Sequence, residues 1–316
     1  MRTNRSVRSA RGFTLVELGA CIAIGSLFTG AYLVSQPESG KPAAQPGTDP
    51  AVIARAQAVA RQVKDATQIR GINQAFIIFA NNNQERYPLP SLFDTENHTV
   101  KPTGRQKDTT ANIMSMLIYN GSFPPEMLVS PAEANANIKH FDKYEYSGPR
   151  KSVDPAKALW DPALDADFTD GDGHISYAHL QPSEKRLPKW SNTFSSSEAV
   201  VSNRGPKIEG VEAGENGARK PTGEDAMSTT YLIHGERQTW EGNVSYNDCH
   251  VDFISSTATP GGESLKNWAH YTDAEGKSVP DVVFFDEADD KKGDNLFLGI
   301  FTRAGSQAKD FKPIWD

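Results

Sequence analysis

The pattern of apolar and polar residues divides the chain into distinct stretches. Residues 13–34 are apolar except for one carboxylate, and residues 36–50 hold four prolines and two glycines. Residues 50–81 repeat apolar side chains at intervals of three and four, and from residue 229 onward β-branched and aromatic residues alternate with polar ones. This order predicts a membrane-spanning helix, a proline-rich linker, an amphipathic helix and an antiparallel sheet.

The first apolar stretch is long enough to cross a bilayer. Its 22 residues, FTLVELGACIAIGSLFTGAYLV, would rise about 33 Å as a helix at roughly 1.5 Å per residue, so we predict a transmembrane segment at residues 13–35. Residues 1–12 contain four arginines and no acid, which indicates a cytoplasmic N-terminal side. The one charge is Glu17. A charge within a membrane costs about 2.5–3.5 kcal/mol on insertion scales, so a partner or a function should retain it.

The third stretch predicts one long helix. Asp49 is a typical N-cap, Pro50 suits the first helical position, and residues 81–83 are three asparagines that should end the helix. The predicted apolar stripe, which should cover a sheet, contains Val52, Ala56, Val59, Val63, Ala66, Ile69, Ile72, Phe76 and Phe79. The predicted polar face contains Arg55, Arg61, Lys64, Asp65 and Arg70.

The remaining chain predicts a second helix, long loops and a sheet. Residues 111–131 should hold a short helix that ends at Asn120-Gly121. Residues 145–225 are rich in Pro, Gly, Ser and Asn and predict surface loops, with HISYAHL as a candidate strand and GVEAGENGARKPTG as a mobile loop. The predicted strands that follow are TTYLIH, GNVSYN, CHVDFIS, DVVFFD and NLFLGIFT. The predicted fold class is therefore α+β.

The run RGFTLVEL closely resembles the processing site of type IV prepilins and type II secretion pseudopilins. The resemblance implies that a prepilin peptidase cuts after Gly12 and that the new first residue, Phe13, is N-methylated. It also implies that Glu17 pairs with the N-terminal amine of a neighbouring subunit. The cost of a charge within the membrane and the resemblance both indicate that Glu17 has a partner.

Two further segments resemble pseudopilins of the planctomycete and verrucomicrobial kind. INQAFIIFANNNQERYP is similar to the end of their first helix, and HGERQTWEGNVSYNDCHVDF is similar to their C-terminal signature. The second segment departs from the pattern because Cys249 replaces the usual turn glycine and because His234 and Asp248 are several residues further apart. A segment that ends in Cys-Pro in this family ends here in Ser130-Pro131, so the disulfide expected from that cysteine is absent.

The resemblance implies a pilin-like organisation. A leader peptide would occupy residues 1–12, an assembly helix 13–35, a linker 36–49 and a periplasmic or extracellular globular domain 50–316. It implies a single-pass inner-membrane protein that is a structural subunit of a type IV pilus-like or type II secretion pseudopilus filament, and not an enzyme. Its partners would be prepilin peptidase and other pilin or pseudopilin subunits.

Other interpretations of the N-terminus and of the function stay open. The apolar stretch is also compatible with a plain membrane anchor or secretory signal, and residues 18–21 resemble a lipobox that would lipidate Cys21. A minor pilin or adhesin would bind a surface ligand. A membrane-anchored periplasmic enzyme would need a catalytic group, and the residues proposed for a hydrolase are His234, Asp248 and His250 beside a serine or Cys249.

One acidic segment predicts a metal site. Asp167, Asp170 and Asp172 in DADFTDGDGHISYAHL are closely spaced carboxylates with a glycine turn, the kind of ligand set that calcium prefers. In the twelve-residue calcium loop of an EF-hand, the last position is a glutamate. Here that position is His179, so a solvated acidic turn is the alternative. The net charge of −7 argues against nucleic-acid binding, because that surface would repel phosphates.

Overall fold

A computed structural model describes residues 49–214, 219–235, 237, 239–257, 270–272, 278–286 and 295–316. The fold is α+β, with a long helix and an antiparallel sheet, as the sequence predicts. Contacts group residues Arg55–Asp316 into one compact unit.

Three α-helices are present in the described residues. They are α1 (Pro50–Asn81), α2 (Pro90–Phe93) and α3 (Thr110–Tyr119). Short 3₁₀ helices cover Gly104–Lys107, Pro125–Leu128, Glu184–Lys189, Thr229–Leu232 and Ala308–Asp310.

The predicted ends of α1 are confirmed. The Asp49 side chain accepts a hydrogen bond from the backbone N–H of Ala51 at 2.9 Å, which is the capping geometry that the sequence suggests. At the other end, the Asn83 side chain donates to the carbonyl of Phe79 at 2.7 Å and satisfies one of the last helical acceptors. Gln84 then takes a positive φ of 55°, which ends the helix.

Helix α3 ends where the sequence predicts, at Asn120-Gly121, and begins after Thr109. The Thr109 hydroxyl accepts from the N–H of Asn112 at its start. At its end Gly121 adopts φ +74°, and its N–H donates to the carbonyl of Ile118 at 2.8 Å. Glycine is favoured after a helix because this left-handed conformation is strained for other residues.

The main sheet has five strands, which are β1 (Tyr177–Leu180), β2 (Ala199–Asn203), β5 (Gly242–Tyr246), β6 (Val251–Ile254) and β9 (Leu298–Gly299). They pair antiparallel in the order β6-β5-β2-β1-β9. Three two-stranded pairs accompany it, formed by β3 (Gly210–Ala213) with β4 (Arg219–Thr222), β7 (His270–Thr272) with β8 (Ser278–Pro280), and β10 (Phe301–Arg303) with β11 (Lys312–Pro313).

The segment 145–225 is more ordered than the predicted surface loops. Its strand β2 lies at the centre of the sheet, between β5 and β1, and all five of its residues are buried. A strand that is buried on both faces has no alternation of polar and apolar residues, so periodicity does not reveal it. The predicted mobile loop GVEAGENGARKPTG contains the paired strands β3 and β4.

Two predicted strands are wrong. TTYLIH forms a 3₁₀ helix because the Ser228 hydroxyl accepts from the N–H of Thr230 and starts a helical turn. DVVFFD forms a buried turn in which Phe284 has φ +67°, and the Asp281 carboxylate accepts from the N–H groups of Val282 and Leu296. In both places a side chain satisfies backbone donors that a strand would pair with a neighbouring strand.

The core lies between the second half of α1, helix α3 and the sheet. At its centre the rings of Phe76, Tyr87 and Trp190 contact one another with centroids 5.3–5.5 Å apart. Trp160 and Trp240 are buried as well, with 0% and 1% exposure. Because these tryptophans are buried, they stabilise the fold and do not form a surface platform.

Candidate functional site: the helix stem and its anchor

The residues predicted to direct processing and assembly, Gly12, Phe13 and Glu17, lie outside the described residues. The predicted transmembrane segment 13–35 lies outside them too. Among the helices that the structure describes, none combines the length and the apolar character that a bilayer crossing requires. The helix that follows the predicted linker, α1, does lie within the described residues.

The beginning of α1 is exposed. We call residues 55–64 the stem, and within it Val59 and Val63 are 58% and 60% exposed. The prediction of one continuous stripe covering a sheet is wrong here, because the apolar residues of the stem cover nothing in the described chain. The residues of the stripe that do cover the sheet begin further along, with Ile69 and Ile72, both at 0% exposure.

The spacing of apolar residues explains why the stripe changes sides. An α-helix turns about 100° per residue, so an interval of three residues falls about 60° short of a full turn. Three such intervals follow one another from Val63 to Ala66, Ile69 and Ile72. Together they rotate the stripe by about 180°. The apolar face of the stem and the face that packs on the sheet are thus on opposite sides of one helix.

A buried carboxylate marks the point where α1 first becomes buried. Asp65, predicted on the polar face, is 0% exposed. Its Oδ1 accepts hydrogen bonds from the hydroxyls of Ser130 at 2.5 Å and Tyr177 at 2.9 Å. Its Oδ2 lies 3.0 Å from Nε2 of His234 and accepts from the side-chain amide of Asn243 at 2.7 Å. Asp65 is therefore not on an exposed polar face, and four separate segments hold α1 at this residue.

The environment of Asp65 favours its charged form. Burial by itself raises the pKa of this carboxyl, but hydrogen bonds from His234 and Ser130, the charge of His234 and a hydrogen bond from Asn243 outweigh burial and hold the pKa below its ordinary value. The same burial, together with the adjacent Asp65 carboxylate, raises the pKa of Tyr177 well above its ordinary value. The tyrosine therefore remains a hydrogen-bond donor and the aspartate an acceptor.

A second set of contacts fixes α1 to the sheet two turns further on. The side-chain amide of Asn73 donates to the hydroxyl of Ser245 at 2.8 Å and to the carbonyl of Tyr246 at 2.6 Å. These two bonds tie the helix to β5. The hydroxyl of Tyr87, which follows the helix, donates to the side-chain carbonyl of Asn247 in the turn after β5.

The hydrolase residues do not form a catalytic arrangement in the described structure. His234 pairs with Asp65, whereas His250 lies against Asp248, so the two histidines belong to separate pairs. Ser130 and His234 both bond to Asp65 and not to each other, so His234 does not contact the Ser130 hydroxyl as a catalytic base would. Burial, followed by the charge of Asp248, raises the pKa of the Cys249 thiol and so disfavours the nucleophilic thiolate.

Cys249 lies in the turn between β5 and β6 with φ +68°. Its N–H donates to the carbonyl of Tyr246 at 2.8 Å, and the N–H of Tyr246 donates to the carbonyl of His250 at 3.0 Å. This is a three-residue hairpin loop whose last residue is left-handed, a position that favours glycine.

The predicted calcium ligands have other partners. Asp167 accepts from the hydroxyl of Thr169 at 2.5 Å, and Asp172 pairs with Lys139 at 2.7 Å, while Asp170 is exposed. In the described residues no group of three histidine, cysteine, aspartate or glutamate side chains is arranged to hold a metal ion. Calcium binding at these three aspartates stays a prediction, which calorimetric titration of the protein and of Asp170→Asn would test.

Comparison with known proteins finds no counterpart: the chain matches no family model, no curated protein and no solved structure. Its function must therefore be argued from its own residues.

Proposed function

We propose that this protein is a structural subunit of a type IV pilus-like or type II secretion pseudopilus filament. The observation that carries the proposal is the run RGFTLVEL, which places Glu17 as the one charge of a 22-residue apolar stretch. Prepilin peptidase removes residues 1–12, the transmembrane helix anchors the subunit in the inner membrane, and the compact domain is periplasmic or extracellular.

Glu17 supplies the physical reason for assembly. A carboxylate in a hydrocarbon environment is unfavourable until a cation neutralises it. Cleavage after Gly12 creates a positively charged amine on Phe13, and this amine on a neighbouring subunit is the partner. Pairing favours assembly over the isolated membrane-inserted chain and sets the axial register of the filament.

The exposed stem supports the proposal. Its apolar face, with Val59 and Val63, lies opposite the face that packs on the sheet and has no partner within the described chain. Arg55, Arg61 and Lys64 are exposed on the same segment, which contains no acid, whereas the whole chain has a net charge of −7. A basic stem and an acidic domain on adjacent subunits would attract one another.

The α+β architecture also supports the proposal. The second half of α1 packs on an antiparallel sheet, which is the arrangement that the resemblance implies for the globular domain of a filament subunit. Asp65 and Asn73 hold the helix to this domain at two levels, so force on the helix is transmitted to the sheet through buried polar contacts.

Mass spectrometry of the protein from membranes of its native host tests the proposal. We expect an intact mass that lacks residues 1–12 and a first peptide that begins with N-methylated Phe13. A lipidated Cys21 or an unprocessed Met1 would contradict it. A Glu17→Gln variant should be cleaved normally but should assemble poorly, which separates processing from assembly.

A further inference from the structure

A polar cleft lies on the compact domain, apart from the stem and its anchor. It has a volume of about 880 Å³ and is open to solvent. One wall is the loop of residues 100–109 with the start of α3, and the other is the segment 302–310, which begins within β10. Two stretches separated by almost two hundred residues thus form a single cavity.

Three cations line this cleft. Arg105 is held in place, since its guanidinium donates to the carbonyl of Pro182 and its Nε lies 3.3 Å from the Asp108 carboxylate. Its side chain is 22% exposed, so it is fixed in the wall but reachable. Arg303 and Lys309 are exposed on the opposite wall, and neither has an ion-pair partner in the described part of the chain.

The position of Arg105 is itself enforced. Asp108 is 0% exposed and accepts from the N–H and the hydroxyl of Ser91, both at 2.9 Å. A guanidinium held by a fixed carboxylate loses little freedom when it binds an anion, so more of the interaction energy contributes to affinity.

Two acids accompany these cations: Asp108 pairs with Arg105 behind the wall, and Asp310 is in the lining. Asp310 lines the cleft, but its Oδ2 already accepts from the N–H of Gln307 at 2.9 Å. Because Asp108 offsets the charge of Arg105, the excess positive charge of the cleft comes from Arg303 and Lys309, in a chain with more acids than bases. Such a cleft attracts anions.

Neutral hydrogen-bonding groups surround the cations. Hydroxyls and side-chain amides line the cavity, and they belong to Thr103, Gln106, Thr109, Asn112, Thr302 and Ser306. The few apolar lining residues are small, and aromatic residues are missing from the lining described. The cleft therefore suits a ligand that is polar throughout, with anionic groups for the cations and hydroxyls for the neutral groups.

We propose that this cleft binds an acidic saccharide, a short sugar chain that bears carboxylate or sulfate groups. Arg105, Arg303 and Lys309 pair with the anionic groups, and the threonine, serine and amide side chains bond to the sugar hydroxyls. The volume accommodates a few sugar units, and the open shape admits a chain that continues beyond the cleft. The proposal goes beyond filament assembly and does not depend on it.

Calorimetric titration of the full-length protein in detergent tests the proposal, with oligogalacturonate and sulfated dextran oligomers as probes. We expect saturable binding of at least one acidic probe, weakened by added salt because the pairing is electrostatic. Neutral dextran of the same length should bind at least tenfold more weakly. The double variant Arg303→Ala/Lys309→Ala should lose at least tenfold in affinity for the acidic probe.

A matched control removes two positive charges elsewhere. Lys157 and Lys207 are exposed and lie outside the cleft, so Lys157→Ala/Lys207→Ala should bind as the unmodified protein does. An equal loss in this control would overturn the proposal in favour of nonspecific attraction. Absence of binding by both acidic probes, equally strong binding of inorganic phosphate, or tighter binding of a single-stranded oligonucleotide would overturn it as well. None of these outcomes bears on cleavage after Gly12, so the two proposals fail separately.

Discussion

Asp65 and His234 are 169 positions apart in the sequence and meet as a buried pair, with Oδ2 of the aspartate 3.0 Å from Nε2 of the histidine. The side chain of His234 is 4% exposed and that of Asp65 is 0% exposed. Ser130, Tyr177 and Asn243 complete the shell of hydrogen bonds around the carboxylate. The pair joins the base of the stem to the segment that precedes β5.

Replacing the carboxylate should destabilise the compact domain strongly. In Asp65→Asn the side-chain amide would replace one charged acceptor and leave His234 or Asn243 without its bond. Hydrogen bonds to charged groups contribute about 1.5–3 kcal/mol each, so we expect the free energy of unfolding to fall by about 2–4 kcal/mol. Denaturant unfolding followed by circular dichroism measures this change.

The matched control is Asp142→Asn, an exposed aspartate away from this network. Exposed substitutions usually change the free energy of unfolding by less than about 0.5 kcal/mol, so the control should be nearly neutral. A loss of similar size in both variants would show that net charge, and not the Asp65 network, is responsible.

The stability of the domain should fall in acid because of a second buried group. Burial lowers the pKa of His179 to about 4, whereas an unfolded histidine takes up its proton near pH 6.5. The contribution of neutral His179 is therefore complete above about pH 6.5 and is lost as the pH falls toward 4. Over this window the free energy of unfolding should fall by up to about 1.4 kcal/mol per pH unit for this one proton.

Two variants separate His179 from the other histidines. His179→Gln should flatten this slope, while His140→Gln, an exposed histidine, should leave it unchanged. His174, whose pKa burial also lowers, should leave a smaller slope in the same direction. The depressed pKa of Asp65 adds a further loss at lower pH, below the ordinary aspartate value of about 4. An unchanged slope in His179→Gln would refute the assignment.

A glycine at position 249 should stabilise the β5–β6 hairpin. Cys249 has φ +68°, a conformation that costs about 1–2 kcal/mol for a residue with a Cβ atom and nothing for glycine. After the entropy of glycine in the unfolded chain is subtracted, Cys249→Gly should raise the free energy of unfolding by about 0.5–1 kcal/mol. Cys249→Ala keeps the Cβ atom and should give no gain, so equal gains in both variants would show that the thiol matters and the backbone does not.

The two faces of α1 should respond differently to truncation. Val63→Ala removes an exposed side chain and should change the free energy of unfolding by less than about 0.5 kcal/mol. Ile72→Ala removes a side chain with 0% exposure and should cost about 2–5 kcal/mol. Thermal or denaturant unfolding of the two variants compares them, and a large loss in Val63→Ala would mean that the stem packs on the domain in solution.

The same stem substitutions test the filament proposal. Val59→Asp and Val63→Asp should leave the domain folded and cleavage after Gly12 intact, but should reduce the filaments recovered from the native host. Val153→Asp, which alters another exposed valine, is the matched control and should assemble normally. Normal filaments from both stem variants would contradict a role of this face in assembly.

The sequence by itself determined the two longer helices, α1 and α3, and the antiparallel type of the sheet. Asp49, the asparagines after residue 81 and Gly121 act through bonds within a few residues, so the ends of α1 and α3 were predictable. The rotation of the apolar stripe along α1 is also a property of the sequence, because it follows from the spacing of the apolar residues between Val63 and Ile72 alone. The processing motif at Gly12 and Phe13 is likewise a property of the sequence and stays a prediction.

The tertiary structure decided which residues are paired across long distances. Strand β2 has no alternation because neighbours bury both of its faces, and Asp65 is charged and buried because four distant segments bring donors to it. The cleft lined by Arg105 and Arg303 likewise exists only after two remote segments meet. The periodicity of apolar residues reflects what stabilises one helix or strand at a time. The partners of a buried polar group depend on contacts that the chain makes only when folded.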